Sequence, residues 1–510
     1  MRKRWQLRAG HVALTMVLAA CTAAASSPAC WSQSAYRING LSAPQVISDP
    51  LAGRLRQQLK ELRSQLDARA KPASLDQALE AGLLHNPLLA SAYAQIQGQQ
   101  WSLIAVRRQW YPSLNASSDR LPGQTFATSS ERGDSPTNSN TTTYSNATNT
   151  DLNLALNWTF FDPSRGPDIN AASQNLKQQQ LLFDVSARNL VLAIQQAYFS
   201  LQEQQLLIKA YEEILAGTEQ QVQITEAKFN NGVVSIADVE QIRTQQYSTI
   251  GTVINAYRQL IDASSQLAQT MALTPGTLVI PSEELKPLGR WDEPLQSTIE
   301  QALQLREEIQ ASLAAAASAS WSATSLFNRY WPQFSVGALG RYAGNNRTSG
   351  LPGDSTSFND RSLNWDGAVG IGFNWRLFDG GINAANAEAQ KATARAARDQ
   401  AAERRLDVSR EVEQNYANYI TSQLALDSTK AQVNSARAAA VAVQERFAVG
   451  VSDMTAVVQV LNLSIDAANA YATAVRVHNS AIASLYRSSA RWPAGTEPLL
   501  MQRIGQLRQR

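Results

Sequence analysis

The feature that most limits what this chain can fold into is that much of it is written twice. "ALNWTFFDPS" (155–164) and "GFNWRLFDGG" (372–381) share Asn-Trp, an aromatic step and Phe-Asp, and lining them up sets an offset near 217. Within a residue or so the same offset places Tyr198 on Tyr416, Phe229 on Phe447 and Gly232 on Gly450. Upstream, "RQWYPSLN" (108–115) meets "NRYWPQFS" (328–335). Landmarks recurring in one order predict a duplicated unit rather than a single continuous core. A proline-containing bridge, "TPGTLVIPSEELKPLGRWDEP" (274–294), separates the halves.

Each half carries the same internal order. A helical run (about 73–110 and 294–330) stops at Tyr111-Pro112 or Trp331-Pro332, because proline disfavours helix in the residue before it. Two strand-like runs follow, separated by Ser/Thr/Asn/Gly-rich loops at about 121–149 and 343–361. A very long helical run comes next (about 165–229 and 382–447), then a glycine turn and a further helix (about 235–272 and 453–488). The long runs are rich in Ala, Gln, Leu, Glu and Arg, all good helix formers. At about 1.5 Å per residue they reach roughly 100 Å, and the two shorter helices of a half, end to end, match that length. A plain antiparallel coiled coil or spectrin-like rod is the ordinary reading of such helices.

The strands speak against a rod. Leu152, Leu154, Leu156, Trp158 and Phe160 alternate with Asn153, Ala155, Asn157 and Thr159. Trp365, Val369, Ile371, Phe373, Trp375 and Leu377 share one parity, against Asp366, Ala368, Gly370, Gly372, Asn374 and Arg376. Period two with one greasy and one small, polar face suits a tilted transmembrane strand as well as a half-buried soluble sheet. On the membrane reading, Trp158, Phe160, Phe161, Trp375 and Phe378 form an interfacial girdle. Asp162 and Asp379 then become helix N-caps, with Pro163 at a first helical position. Four strands cannot close a ring, and an open edge in lipid leaves N–H and C=O groups unpaired at several kcal/mol each. More than one chain must therefore share the pore.

Composition removes other classes. Lys and Arg total 45 against 42 Asp and Glu, a net charge of +3, so there is no electrostatic case for nucleic acid. Three His and two Cys leave little for a metal site, a cofactor or a Cys/His nucleophile, and His85 and His478 have no acid–base companions in sequence; no enzyme is expected. Arg2, Lys3, Arg4 and Arg8 ahead of an apolar stretch from Val12 to Ala20 read as an export signal over 1–20. Leu18-Ala19-Ala20-Cys21 resembles the lipobox of bacterial lipoproteins, which implies lipidation of Cys21. An ordinary signal ending near Ser27-Pro28-Ala29 and a Cys21–Cys30 disulfide are the alternatives. "RLRQQLKELRSQLDARAKP" (54–72) reads as a basic amphipathic helix outside the repeat. The chain thus divides as signal 1–20, extension 21–72, first repeat 73–273, linker 274–293, second repeat 294–490 and tail 491–510.

The duplicated order, with "LFDGG" (377–381), Asn86-Pro87 in "LLHNPLL" and "KFNNGVVSIADVEQ" (228–241), resembles the TolC-like outer-membrane efflux protein family over about residues 73–490. The resemblance implies a homotrimer in the outer-membrane lipid: a twelve-stranded β-barrel continuing into a periplasmic α-helical barrel. It also implies a periplasmic adaptor and an inner-membrane ABC or RND transporter as partners, in efflux or type I secretion. In that family the turns here at Gly232 and Gly450 lie at the periplasmic tip, and Asp238 matches a tip aspartate. The paired acids that follow the second turn in well-known members fall here on Ala456 and Gln459, so an acidic ring is not expected. Asp453, on another face, is the nearest acid. Ser235 and Asp238 have capping-box spacing, Asp453 also suits a helix start, and Arg243 and Arg446 are placed to pair with these acids across neighbouring hairpins. A lipid-tethered, non-channel helical rod is the rival.

Overall fold

A computed structural model describes residues 50–132, 140–351 and 357–509. The export signal, Cys21 and Cys30 lie outside the described residues. In chain order the elements are α1 (Pro50–Arg69), β1 (Ala70–Ala73), α2 (Leu75–His85), α3 (Pro87–Arg108), β2 (Ser113–Ser117), β3 (Gly123–Arg132), β4 (Asn140–Phe161), α4 (Arg165–Asn230), α5 (Ile236–Thr270) and β5 (Leu278–Pro281). The second half follows with α6 (Leu295–Leu305), α7 (Glu307–Asn328), β6 (Gln333–Gly350), β7 (Ser357–Asn374), α8 (Ile382–Ala448), α9 (Met454–Ser488) and α10 (Thr496–Gln509). Among the described residues no helix is long and apolar enough to cross a membrane.

The long helices and their partners fall where periodicity and composition put them. The helical runs before the strands are each split in two. In the first half Asn86 breaks the run: its side chain accepts from Leu88 N at 2.9 Å, and Pro87 opens α3, where its missing N–H costs nothing. Asn86 Nδ2 also donates to the Thr270 carbonyl at the end of α5, at 2.8 Å. In the second half Arg306 stands at the equivalent break and donates to the Ser488 carbonyl at the end of α9, at 3.3 Å. These bonds join α5 to α3, and α9 to α7, end to end, so each pair lies along one long helix.

Packing then gives a simple lateral order: α3 with α5, then α4, then α7 with α9, then α8. The sheet repeats it, running β2, β4, β6, β7 antiparallel, with β3 joining β4 on the β2 edge. Since β2 follows α3, β4 precedes α4, β6 follows α7 and β7 precedes α8, sheet and helices form four continuous staves. Among the described residues no further strand pairs with the outer edge of stave one or of stave four, and no further stave packs beside either.

Two expectations are corrected, and the linker and the tail carry elements of their own. The segments expected as loops at 121–149 and 343–361 are largely strand, because polar Ser/Thr/Asn stretches extend the ladders of β3, β4, β6 and β7. The first half therefore has three strands, β2 and β3 sharing one edge. Strand β7 ends at Asn374, so Trp375 and Leu377 lie just past it. In the linker, β5 pairs parallel with β1 over Ala70–Ala73 and Leu278–Pro281. The tail folds as α10, which buries Leu500 and Leu507 in the main core.

That core surrounds the end-to-end junction of the first half, with Leu83, Ile194, Leu201 and Leu267 fully buried. Gly82 of α2 lies so close to α4 that a methyl group there would come within 2.3 Å of Ile194 Cδ1 and 3.2 Å of the Thr270 carbonyl oxygen. Gly82→Ala should destabilise the fold by about 1–3 kcal/mol through overpacking, read as a lowered unfolding midpoint. Gly98→Ala on exposed α3, with open space around it, should not.

Candidate functional site

Two regions of the wall carry functional chemistry: a band across the sheet and the far tips of the helices. In the band, register collects one face from every strand. Leu114 of β2, Leu154, Leu156 and Trp158 of β4, Phe334, Val336 and Ala338 of β6, and Val369, Ile371 and Phe373 of β7 lie on it. No other described part of the chain covers it: Val369 is 82% exposed and Ile371 77%. The opposite face holds Asn153, Asn157, Ser335, Gly337, Gly370 and Gly372.

Aromatic rings bound the band at both ends. At the helix side, Phe334 lies 5.9 Å from Phe161, 6.4 Å from Phe160 and 6.2 Å from Phe373, centroid to centroid. Trp158 donates its indole N–H to the Trp110 carbonyl at 2.9 Å, and its repeat counterpart Trp375 donates to the Tyr330 carbonyl at 3.0 Å. Phe378 is 86% exposed. A β-bulge between Thr159 and Phe161 shifts the register, so the strict alternation fails at Phe160. At the other end Tyr342 and Trp365 stack at 4.8 Å, a second belt that the sequence reading missed because it shows only once Tyr342 is paired with Trp365. From Phe334 to Tyr342 the strand covers about 26 Å before tilt, the scale of the apolar band of an outer-membrane barrel, about 25 Å.

The two border aspartates differ. Asp162 is not the N-cap of α4. Its carboxylate accepts from Ser164 N (2.9 Å) and Ser164 Oγ (2.7 Å), and Ser164 is the cap residue, its side chain accepting from no helix N–H. Pro163 precedes the helix. Asp379 does accept a helix N–H, from Asn383 at 3.0 Å, although Gly381 is the N-cap residue. It also accepts from Gly381 N and from the Tyr330 hydroxyl, each at 2.9 Å.

At the tips, Gly232 (φ 72°) and Gly450 (φ 79°) adopt the left-handed conformation that closes a helix. Gly232 N and Val233 N donate back to the Phe229 and Lys228 carbonyls; Gly450 N and Val451 N do the same to Phe447 and Arg446. Ser235 caps α5 in a reciprocal box with Asp238, and Asp453 caps α9 by accepting from Ala456 N at 2.9 Å. Arg243 does not meet Asp238 or Asp453. It is buried and held by Glu226 (2.9 Å) and Glu240 (3.1 Å), both on its own hairpin. Arg446 is exposed and reaches neither acid. Nearest the turns, Lys228 joins the two hairpins: its ammonium donates to the Phe447 carbonyl and lies 4.4 Å from the centroid of that ring. Beneath it Val222, Ile242, Phe447, Met454, Val457 and Leu461 form a small core.

A buried ionic cluster near the α6–α7 break ties the staves together. Arg188 of α4 meets Glu307 at 2.8 Å, and Arg306 bonds Glu308 (3.0 Å) and Glu411 (2.9 Å), while Arg487 also bonds Glu308. Burial works to raise the Glu308 carboxyl, but Arg487 and Arg306 outweigh it and hold it at about 2. Asp184 is pushed up to about 6, first by burial and then by Glu307, with Arg188 opposing. His478 is buried at Ser422 and the Leu288 carbonyl, an anchor for the linker, and His85 bonds only the carbonyl of Ala81. Among the described residues no group of His, Cys, Asp and Glu could hold a metal ion.

A family model described as outer membrane efflux protein matches residues 78–273 and 298–491. The chain belongs to this family. Its place is the outer membrane, with the helical part in the periplasm. No curated protein matches its sequence. Among solved structures, the Campylobacter jejuni CmeC outer membrane channel is similar at 16% identity, covering 84% of this chain and 89% of that one, with a TM-score of 0.66. The Vibrio cholerae outer membrane protein VceC is 18% identical over 82% and 96%, with a TM-score of 0.64. The Neisseria gonorrhoeae MtrE outer membrane channel is 18% identical over 82% and 89%, with a TM-score of 0.61. At such identities the likeness shows the fold, a helical duct wall joined to a β-sheet wall.

Two outcomes follow for this efflux-family chain. Val369→Arg, on the exposed apolar face, should cost about 2–4 kcal/mol if that face meets lipid and should lower the amount recovered in outer-membrane fractions; Ala368→Arg, on the opposite face, should not. For Asp184, a folded-state pKa above the unfolded value means the folded protein holds the proton more tightly. Stability is then lost as pH rises from about 3.8 through about 6. Asp184→Asn should therefore stabilise the protein above pH 6 by on the order of 1–2 kcal/mol after solvent screening, read as a higher melting midpoint, and give no gain below pH 4.

Proposed function

We propose that this chain is one subunit of a passive export duct, sealed by copies of itself. The lateral order of the staves is the observation that carries this reading. Sheet and helices share one sequence of neighbours and are open at the same two edges, so an identical chain set beside stave four with its own stave one extends both walls at once. A ring of three would hold about twelve strands, above the usual minimum of about eight. Trp158, Phe160, Phe161, Trp375 and Phe378 serve as the periplasmic girdle of that barrel, and Cys21 as a lipid anchor beside it. The turns at Gly232 and Gly450, capped through Asp238 and Asp453, form the narrow periplasmic mouth. There a periplasmic adaptor couples the duct to an inner-membrane ABC or RND transporter, in efflux or type I secretion. Nothing in this reading asks the chain itself for a cofactor or for catalysis.

The second reading is a lipid-tethered helical rod that conducts nothing. The helices alone would serve it, but a rod has no use for an apolar sheet face left bare between two aromatic belts. Purified full-length protein should run as a heat-modifiable trimer, have a mass near three chains by light scattering in detergent, and conduct ions in planar bilayers. A non-conducting monomer would establish the rod.

A further inference from the structure

We propose that Arg446 of each subunit closes onto Phe229 of the partner subunit, repeating between chains the link that Lys228 makes to Phe447 within one chain. This rests on the reading of the duct as a ring of copies. The repeat places Lys228 on Arg446 and Phe229 on Phe447. Inside the chain, the Lys228 ammonium at the end of α4 donates to the Phe447 carbonyl in the last turn of α8 and faces the Phe447 ring. A cation there satisfies an end-of-helix carbonyl, complements the helix dipole and meets the negative face of the ring. Arg446 has the same position one hairpin on, at the end of α8, and is exposed with no partner among the described residues.

Burial shows what the second half has and the first half lacks. Phe447 is 3% exposed and Met454 1%, both packed against Val222 and Ile242 of the first hairpin. Their counterparts are less covered: Phe229 is half-buried and Ile236 is 37% exposed. The first hairpin presents the same receiving surface as the second, an aromatic ring and an aliphatic side chain beside a glycine-closed helix end, but no hairpin lies on it. In the ring, stave four of one chain meets stave one of the next. The order α4, α9, α8 within a chain becomes α8, α5, α4 across the junction, with α5 the repeat counterpart of α9. A second copy therefore brings Arg446 to Phe229 of the partner subunit in the direction that Lys228 already takes to Phe447. Arginine is a fitting cation for a partly covered ring, since its planar guanidinium stacks and donates at once. Links within and between subunits then alternate around the tip, and it is these, rather than an acidic ring, that hold the hairpins together.

The test uses the full-length protein in detergent and in planar bilayers. With p-benzoylphenylalanine in place of Phe229, irradiation should give adducts between chains that map to the end of α8, around Arg446. Arg446→Gln should raise the open fraction by roughly threefold, with the oligomer intact. Arg446→Lys should behave as wild type, because lysine does this work in the first half. Adducts confined within one chain, or mapping elsewhere, would overturn the proposal. So would Gln and Lys variants that behave alike, whether both are silent or both altered. If wild-type protein is itself monomeric and non-conducting, the duct reading fails too; if it is oligomeric and conducting and only the Arg446 results fail, the duct stands without this link.

Discussion

A peptide group in hydrocarbon must find its hydrogen bond within the protein, and the rest of this architecture depends on that requirement. The sheet presents an apolar face framed by aromatic rings, yet it ends at β7 on one side and at β2 and β3 on the other. In water those edges would cost little, because solvent would pair them. In lipid every bare N–H and C=O costs several kcal/mol, which no contact elsewhere in the chain offsets. Each strand of the sheet leads directly into a helix of its own stave, so whatever closes the sheet edges also brings the helix edges together. One local requirement at the membrane thus sets the arrangement of helices far below it.

Duplication makes such a wall economical to specify. Two helices laid end to end must match one long helix, and the junction exposes the last carbonyls of α5 and of α9. The halves solve this with different chemistry at equivalent positions. The first uses the amide of Asn86 with a proline start to α3. The second uses the guanidinium of Arg306, which brings a charge into the wall and needs Glu308 and Glu411 to neutralise it. The buried ionic cluster follows from that choice. A lone buried charge would be strongly destabilising, whereas a fully paired one is tolerated and fixes the geometry of what it joins.

Much of this was legible in the residues. Strict alternation from Leu152 to Trp158 and from Val369 to Phe373 marked the band, because a strand with two unlike faces leaves a period of two that local sequence cannot hide. The long helices, the glycine turns and the capping of α5 at Ser235 and of α9 at Asp453 were equally local. What stayed hidden needed a partner. Thr141 to Thr150 reads as loop by composition, and becomes strand because β3 and β6 pair with it over its length. The β1–β5 pairing joins segments about 200 residues apart, in stretches that carry no pattern. Asp162 and Asp379 follow the same Phe, yet only Asp379 reaches a helix N–H, since the chain after Asp162 turns back through Pro163 and Ser164 first. Arg243 was set against the wrong acids because Glu226, which holds it, lies across the hairpin rather than beside it in sequence.

The face opposite the apolar band bears on what such a wall can discriminate. Small and polar residues dominate it, and two pairs of charges stand opposite their complements in register, Arg341 beside Asp366 and Arg347 beside Asp360, while Asp151 faces Ala343. Rungs of balanced charge create little net field, so ions of either sign meet similar potentials. Asn and Ser side chains offer donors and acceptors in equal measure and reward no one solute. A surface of this kind excludes by width rather than by chemistry. In the proposed duct, selection would then fall to what precedes entry, and control to the tips of the helices. There the fold concentrates its specific contacts: a cation on a helix-end carbonyl, an aromatic ring beneath it and a small apolar core where two hairpins meet.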